Sequence, residues 1–257
     1  MKFTVLISSY NKGEYIEECI VSCINQSYKN LEIILFDNYS NDNTKKILEK
    51  YSDKIKIIYK NKVSEFPALN QIDLIKEGLK LCKGDIICLL DGDDYFFKEK
   101  ILKINNIFEK NDFDVVYDLP MIKKSNELIK FNLKRKFQKN IWPTIINTSA
   151  ISIRKKSLEK FIQLNLFENY NLLEIDFRIN VVSRCIDNNY FIFDESLSVY
   201  RFVPNSIMSD NKKYSKKWWF KRLQAHNYMK KIYELNNKVY SNFFDLKLTN
   251  LITKILN

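Results

Sequence analysis

Short apolar runs rich in β-branched residues alternate with stretches of helical period through the first 110 or so residues, and this rhythm restricts the chain more than any other feature. Residues 3–8 (FTVLIS), 31–36 (LEIILF), 55–59 (IKIIY) and 85–90 (DIICLL) read as buried strands. Between them, residues 14–26 place Ile16, Cys19, Ile20, Cys23 and Ile24 on one helical face. Residues 42–51 open with Asp42 and Asn43, good capping residues, and then run helical. Residues 68–82 are expected to form a helix with Leu69, Ile72, Ile75, Leu79 and Leu81 turned inward. Strands that alternate with helices imply βαβ units and a parallel sheet. The fold class is therefore α/β, a Rossmann-like, mostly parallel sheet flanked by helices. In such sheets ligands bind beyond the carboxyl ends of the strands, which directs attention to Ser8–Lys12, Asp37–Asp42 and Asp91–Asp94.

The rhythm then changes. Residues 113–117 (FDVVY) read as a further strand, and 122–139 form a basic, irregular segment with Lys123, Lys124, Lys130, Lys134, Arg135, Lys136 and Lys139, expected as a loop or short strands. One more strand is expected near the end of 141–153, helices over 155–165 and 176–186, a strand over 190–193, and two helices from Asp210 onward. A chain of 257 residues, 46% hydrophobic, suits one large domain with a C-terminal extension. The net charge of +11 favours anionic partners, or serves only solubility. Five cysteines without a framework argue for free thiols that fill the core in a reducing compartment. The N-terminus turns polar too soon for a signal peptide, and no run of about 18 apolar residues predicts a span. A cytoplasmic protein is expected, with contact to a membrane surface left open.

The strongest local signal is Leu89-Leu90-Asp91-Gly92-Asp93-Asp94. Carboxylates crowded at a strand end repel one another, and a hard divalent cation with oxygen ligands relieves that repulsion. Alone, the pattern also fits a solvated acidic turn. Ser8-Ser9-Tyr10-Asn11-Lys12 and Asp37-Asn38-Tyr39-Ser40-Asn41-Asp42 close two other strands with hydrogen-bonding side chains that can read a base edge or ribose hydroxyls, although capping accounts for Asp42. His226 is the only histidine, so acid–base work falls to carboxylates. Residues 214–235 (YSKKWWFKRLQAHNYMKKIYEL) mix lysines with Trp218, Trp219 and Phe220, a pattern for a helix that rests on anionic lipid or packs its aromatics on the main domain.

SSYNKGEYIEECIVSCINQSYKNLEIILFDNYSNDNT followed by KGDIICLLDGDD resembles the family-2 glycosyltransferases of GT-A fold, closely over residues 1–115 and loosely to about 205. The resemblance implies a catalytic domain over 1–209, with a nucleotide-sugar-binding half at 1–115 and an acceptor half at 116–209, before a helical extension at 210–257. By the same resemblance Ser8, Tyr10, Asp37 and Asn38 bind the nucleoside, Asp93 is the direct ligand of Mn2+ or Mg2+, and Asp91 faces ribose or metal-bound water. Asp94 supports the turn or caps the next helix. The family usually carries two consecutive acids and then glycine at the second strand end. Here Asn38 and Tyr39 stand in the second and third places, which leaves the base open among uridine, the first choice, guanosine and thymidine. The family's catalytic base maps to Asp176 within Leu173-Glu174-Ile175-Asp176, with Glu174 as the alternative and helix capping as the plain reading.

These parts imply an inverting transfer of a sugar from a nucleoside-diphosphate donor, UDP-sugar favoured, to a saccharide or lipid-linked saccharide hydroxyl. Synthesis of a cell-surface polysaccharide or lipooligosaccharide is the expected setting, on the inner face of a membrane. A sugar-phosphate nucleotidyltransferase would need a glycine-rich, arginine-bearing loop after the first strand, and Ser8–Gly13 holds one glycine and no arginine. Acids at three strand ends speak against a nucleic-acid-binding protein. A non-catalytic sugar-binding relative is the third alternative.

Overall fold

The computed structural model describes residues 1–60, 64–125, 127–133, 143–164, 166, 168–203 and 212–256. The expected rhythm is present as β1 (Phe3–Ser9), α1 (Ile16–Ile24), β2 (Leu31–Asp37), α2 (Thr44–Glu49), β3 (Lys56–Tyr59), α3 (Pro67–Leu81) and β4 (Ile86–Asp91). After β4 come β5 (Tyr95–Phe96), α4 (Lys100–Lys110), β6 (Val115–Asp118), β7 (Met121–Lys124), β8 (Glu127–Lys130) and β9 (Ile151–Arg154). The chain then forms α5 (Lys155–Gln163), α6 (Ile175–Val181) with a π-helical turn over Val182–Asp187, β10 (Tyr190–Phe193), β11 (Ser198–Arg201), α7 (Lys216–Leu235) and α8 (Phe243–Leu256).

A seven-stranded sheet has the order β10-β6-β9-β4-β1-β2-β3, with β9 antiparallel to both of its neighbours and the other pairings parallel. Apolar side chains leave both faces of β1 and β4, so each face needs a helical cover. One face packs Leu6, Ile34 and Leu89 against Ile72 and Ile75 of α3, Leu158 of α5 and Ile179 of α6. The other packs Val5, Leu35 and Leu90 against Ile16, Cys19, Ile20 and Cys23 of α1 and Ile101, Ile104 and Phe108 of α4. A second sheet, β5-β11-β7-β8, lies in the later half.

Two expectations change. Leu81 is 36% exposed rather than turned inward, because it ends α3; Leu74 is buried instead. Neither β5 nor β11 was expected, since runs of two and four residues carry no readable period. The basic segment begins as β7 and β8, and its part from Lys134 to Lys139 lies outside the described residues, as do Asp210 and the division at residue 209. Of the extension, Ala225, Tyr228, Met229 and Ile232 of α7 join the same core as α3 and α6, so its buried face packs on the sheet domain. His226 is buried there, with Nδ1 2.7 Å from the Tyr240 hydroxyl and Nε2 bonded to Asp245, a packing role. All five cysteines are free, four buried and Cys185 partly so. Among the described residues no helix is long and apolar enough to cross a membrane.

Candidate active site

Pairing register brings the three strand ends together. In the sheet Ser8 lies opposite Asp91 and Ser9 opposite Asp37. β1 is the strand from which the order runs one way to β2 and β3 and the other way to β4. That reversal is the topological switch point at which open α/β sheets bind ligands.

The loops beyond β1 and β2 clasp each other. Asn11 N–H donates to Ser40 Oγ (2.8 Å), Asn41 N–H to Asn11 Oδ1 (2.9 Å), Lys12 N–H to Thr44 Oγ1 (2.9 Å) and Gly13 N–H to Asp42 Oδ2 (3.0 Å). A Cβ on Gly13 would fall 1.6 Å from Asn43 Oδ1, so a side chain there would push the Asn43 side chain aside. Asp37 is fully buried and accepts from Ser40 N–H (3.2 Å) and the Ser40 hydroxyl. Asn38 is buried beside it, while Tyr10 is exposed. Tyr39, where the family carries glycine, has φ 67° and stands 56% exposed. That left-handed backbone is one glycine adopts without strain.

The acids after β4 have separate surroundings. Asp91 Oδ1 accepts from Ser8 Oγ (3.1 Å) and from Gln71 Nε2 of α3 (2.6 Å), and its backbone N–H donates to Ser149 Oγ (3.1 Å). Burial first, and then the Asp93 carboxylate, push its pKa up to about 6. Asp93 pairs with the Lys12 ammonium at 2.5 Å. Asp94 turns inward and caps no helix; it is fully buried and accepts from Ser149 Oγ (2.5 Å) and Arg201 N–H (2.8 Å), which ties β4 to β11. Burial and the two neighbouring acids raise its pKa well above the usual range. Gly92 does not serve as a left-handed turn residue, since no glycine has positive φ. Its lack of a side chain admits Ser8 O and the Ser9 side chain, each 3.2 Å from where a Cβ would sit.

Asp176 lies in the first turn of α6, whose N-cap is Glu174, so simple capping does not describe it. Burial first, then the Glu174 carboxylate, lift its pKa to about 7, and Asp91 contributes in the same direction, which makes the two halves of the chain electrostatic neighbours. Glu174 itself is neutralised by Lys221 of α7. Burial first, then the carboxylates of Asp94, Asp91, Asp93 and Asp176, resist ionisation of the Tyr200 hydroxyl of β11.

Sequence reasoning left Gln71, Ser149, Tyr200 and Arg201 without roles. Gln71 alone carried a signal, as a polar residue at an i+3 place of the buried stripe Ala68, Ile72, Ile75.

Among the described residues no three His, Cys, Asp or Glu groups converge to hold a metal between them. The oxygen-only donors Asp93 and Asp91, in mutual repulsion and with Asp94 turned away, fit an ion shared with a ligand's phosphates, the mode in which one or two carboxylates suffice.

A sheet of this order with acids at the switch point defines the GT-A fold, and solved structures of that fold match it. TarS of S. aureus, solved in complex with UDP-GlcNAc, matches with TM-score 0.67 and 18% identity over 89% of this chain and 66% of that one. The mannosyltransferase PcManGT of Pyrobaculum calidifontis, solved with GDP-Man and Mn2+, matches with TM-score 0.60 and 15% identity over 88% and 63%. Residues 4–162 match Glycosyl transferase family 2, and the chain belongs to that family. An uncharacterised glycosyltransferase of Mycoplasma pneumoniae is 31% identical over 179 residues, 65% of this chain and 56% of that one. Glycosyltransferase GlyG of Streptococcus pneumoniae is 30% identical over 117 residues, 44% of this chain and 37% of that one. The chain thus spans about half the length of such relatives, or less.

Proposed function

We propose that this chain is a glycosyltransferase that moves a sugar from a nucleoside-diphosphate donor, UDP-sugar first, to an acceptor hydroxyl with inversion. The observation that carries the reading is the meeting of the β1, β2 and β4 ends in sheet register, which sets Ser8 opposite Asp91 and Ser9 opposite Asp37, with Asp91 also raising the pKa of Asp176. Residues 1–115 hold the donor, 116–209 the acceptor, and 210–257 extend the fold. The acceptor is a saccharide or lipid-linked saccharide of a surface glycan.

Asp37, buried and held by Ser40, braces the floor of the nucleoside site, to which Ser8, Tyr10 and Asn38 contribute. Asp91, fixed by Ser8 and Gln71, orients the ribose and the metal side of the diphosphate. Asp93, with Asp91, would hold the ion, and the Lys12 ammonium pairs with Asp93 beside it. A bound Mn2+ or Mg2+ would supply charge neutralisation to the departing diphosphate. The acceptor oxygen bonds to the anomeric carbon as the carbon–phosphate-oxygen bond breaks, and the nucleoside diphosphate leaves with the electron pair. Asp176 takes the acceptor proton; its raised pKa matches that work near neutral pH. Tyr200 keeps its hydroxyl neutral under the charge of the donor acids and the base. Solved relatives with UDP-GlcNAc, and with GDP-Man and Mn2+, support the donor class.

Thermal-shift titration with UDP, GDP and TDP, each with and without Mn2+, tests the reading. One nucleotide should stabilise the chain, by about 2.7 kcal/mol at a hundred times its Kd, and the metal-dependent part should vanish in Asp93→Asn. Asp176→Asn should keep donor binding and lose donor turnover, read as nucleoside diphosphate release. No stabilisation by any of the three, with or without the ion, sinks the donor site. Equal loss of binding and turnover in Asp176→Asn removes the base assignment.

A further inference from the structure

Helix α8 is apolar on two sides: Leu246, Ile252 and Leu256 are half-buried on the face of its buried threonines, and a second apolar stripe faces water. The face against the protein carries Thr249 and Thr253, both buried, and Asp245, which pairs with Arg222 (2.7 Å) and His226 of α7. Thr249 Oγ1 is buried with no hydrogen-bond partner among the described residues. The opposite face carries Phe244, Leu248, Leu251 and Ile255, which follow at spacings of four, three and four and so form one stripe. Phe244 is 84% and Ile255 74% exposed, and Phe243 at the start of the helix and Val239 of the turn before it are exposed as well. A helix that hides threonines and shows phenylalanine, leucine and isoleucine to water has that second stripe fitted to something outside this chain.

Charge decides what covers it. Lys247 and Lys254 are exposed and lie seven residues apart along one flank of the stripe, and the one acid of the helix, Asp245, is committed inward. The outward charge of α8 is therefore wholly positive, on a chain of net charge +11. A second copy would set lysine against lysine, over a stripe of a few hundred Å2 where a stable interface takes about 800 Å2 from each partner. An anionic lipid surface accepts both features at once: acyl chains take the stripe and headgroups take the lysines. We propose that α8 lies in the interface of an anionic membrane through Phe244, Leu248, Leu251 and Ile255. The basic–aromatic helix α7 supports α8 through Arg222 and His226, both of which meet Asp245.

The test is co-sedimentation of the full chain with vesicles of phosphatidylcholine alone and of phosphatidylcholine mixed with phosphatidylglycerol. The chain should sediment with the mixed vesicles and be released as salt is raised. Phe244→Ser with Leu251→Ser should lower the partition by about tenfold or more while leaving the circular dichroism and Tm unchanged, since both side chains already face water. Lys247→Glu with Lys254→Glu should abolish the preference for phosphatidylglycerol. Any of four results overturns the proposal: wild type left in the supernatant; equal binding to both vesicles; a serine pair that sediments as wild type; or, without lipid, a dimer that the serine pair dissolves. None of these readings depends on nucleotide binding, so the outcome stands apart from that of the donor titration.

Discussion

Lys100 and Asp118 form an ion pair from which both partners are wholly excluded from water, and its removal should be the most damaging charge change in the chain. The ammonium, at the start of α4, also donates to Ser149 O (2.9 Å) and lies 4.3 Å from the centroid of the Phe96 ring. The carboxylate, at the end of β6, also accepts from Leu197 N–H (3.1 Å) and Ser198 Oγ (2.6 Å). Lys100→Met leaves Asp118 with two donors and no counter-charge. Asp118→Asn leaves a buried ammonium with one neutral amide. Breaking a buried pair from one side costs about 3–5 kcal/mol, which for a chain of this size lowers Tm by about 6–20 °C at 2–4 °C per kcal/mol. The double variant Lys100→Met with Asp118→Asn removes both charges, so its loss should fall short of the sum of the single losses by about 2 kcal/mol or more. Urea midpoints and scanning calorimetry on the four proteins measure this. Single losses under about 1 kcal/mol that add in the double variant would refute the reasoning, because a pair so lightly coupled is not isolated from water. The same result would withdraw Asp118 as the anchor of the β11 entrance, and with it the account of how Arg201 N–H reaches Asp94.

Two further predictions concern the site itself. With Asp176 raised to about 7, donor turnover should fall on the acid side with an apparent pKa near that value as the base is protonated. The linked stability runs the other way. A carboxyl raised in the folded state contributes most below its unfolded pKa of about 4, and that contribution is lost as pH climbs through the folded value. Asp176→Asn should flatten the loss between those limits, and a wild-type acid limb near pH 4 would contradict the assignment. Tyr39→Gly should relieve a left-handed strain of about 1–2 kcal/mol against about 0.4–1 kcal/mol of extra unfolded-state freedom, for a net gain near 0.5–1 kcal/mol in urea midpoints. A loss of stability would show that the Tyr39 ring, with Lys45 5.4 Å from its centroid, holds the loop by contact.

What the sequence revealed and what it hid divide along one physical line. Ser8, Asp37 and Asp91 were legible because each ends a buried strand, and a parallel sheet of short βαβ units places such ends side by side without reference to the rest of the chain. The environment of each acid was not legible, because it comes from elements distant in sequence. Gln71 of α3 reaches Asp91, Ser149 reaches both Asp91 and Asp94 from the turn before β9, and Arg201 reaches Asp94 across 107 residues. Three adjacent acids therefore looked alike in sequence and differ in kind in the fold. Asp94 is a buried brace, Asp91 an oriented acceptor, and Asp93 the one paired with a flexible lysine whose charge a bound ion can replace. The same line explains α7 and α8. Composition left α7 open between resting on lipid and packing on the main domain; Tyr228, Met229 and Ile232 belong to the core while Trp218, Trp219 and Phe220 stay partly exposed, and only the fold shows that α8 puts threonine inside and phenylalanine outside. A residue's chemistry is set by type; whether that chemistry faces a substrate, a brace or a membrane is set by contacts that no local window contains.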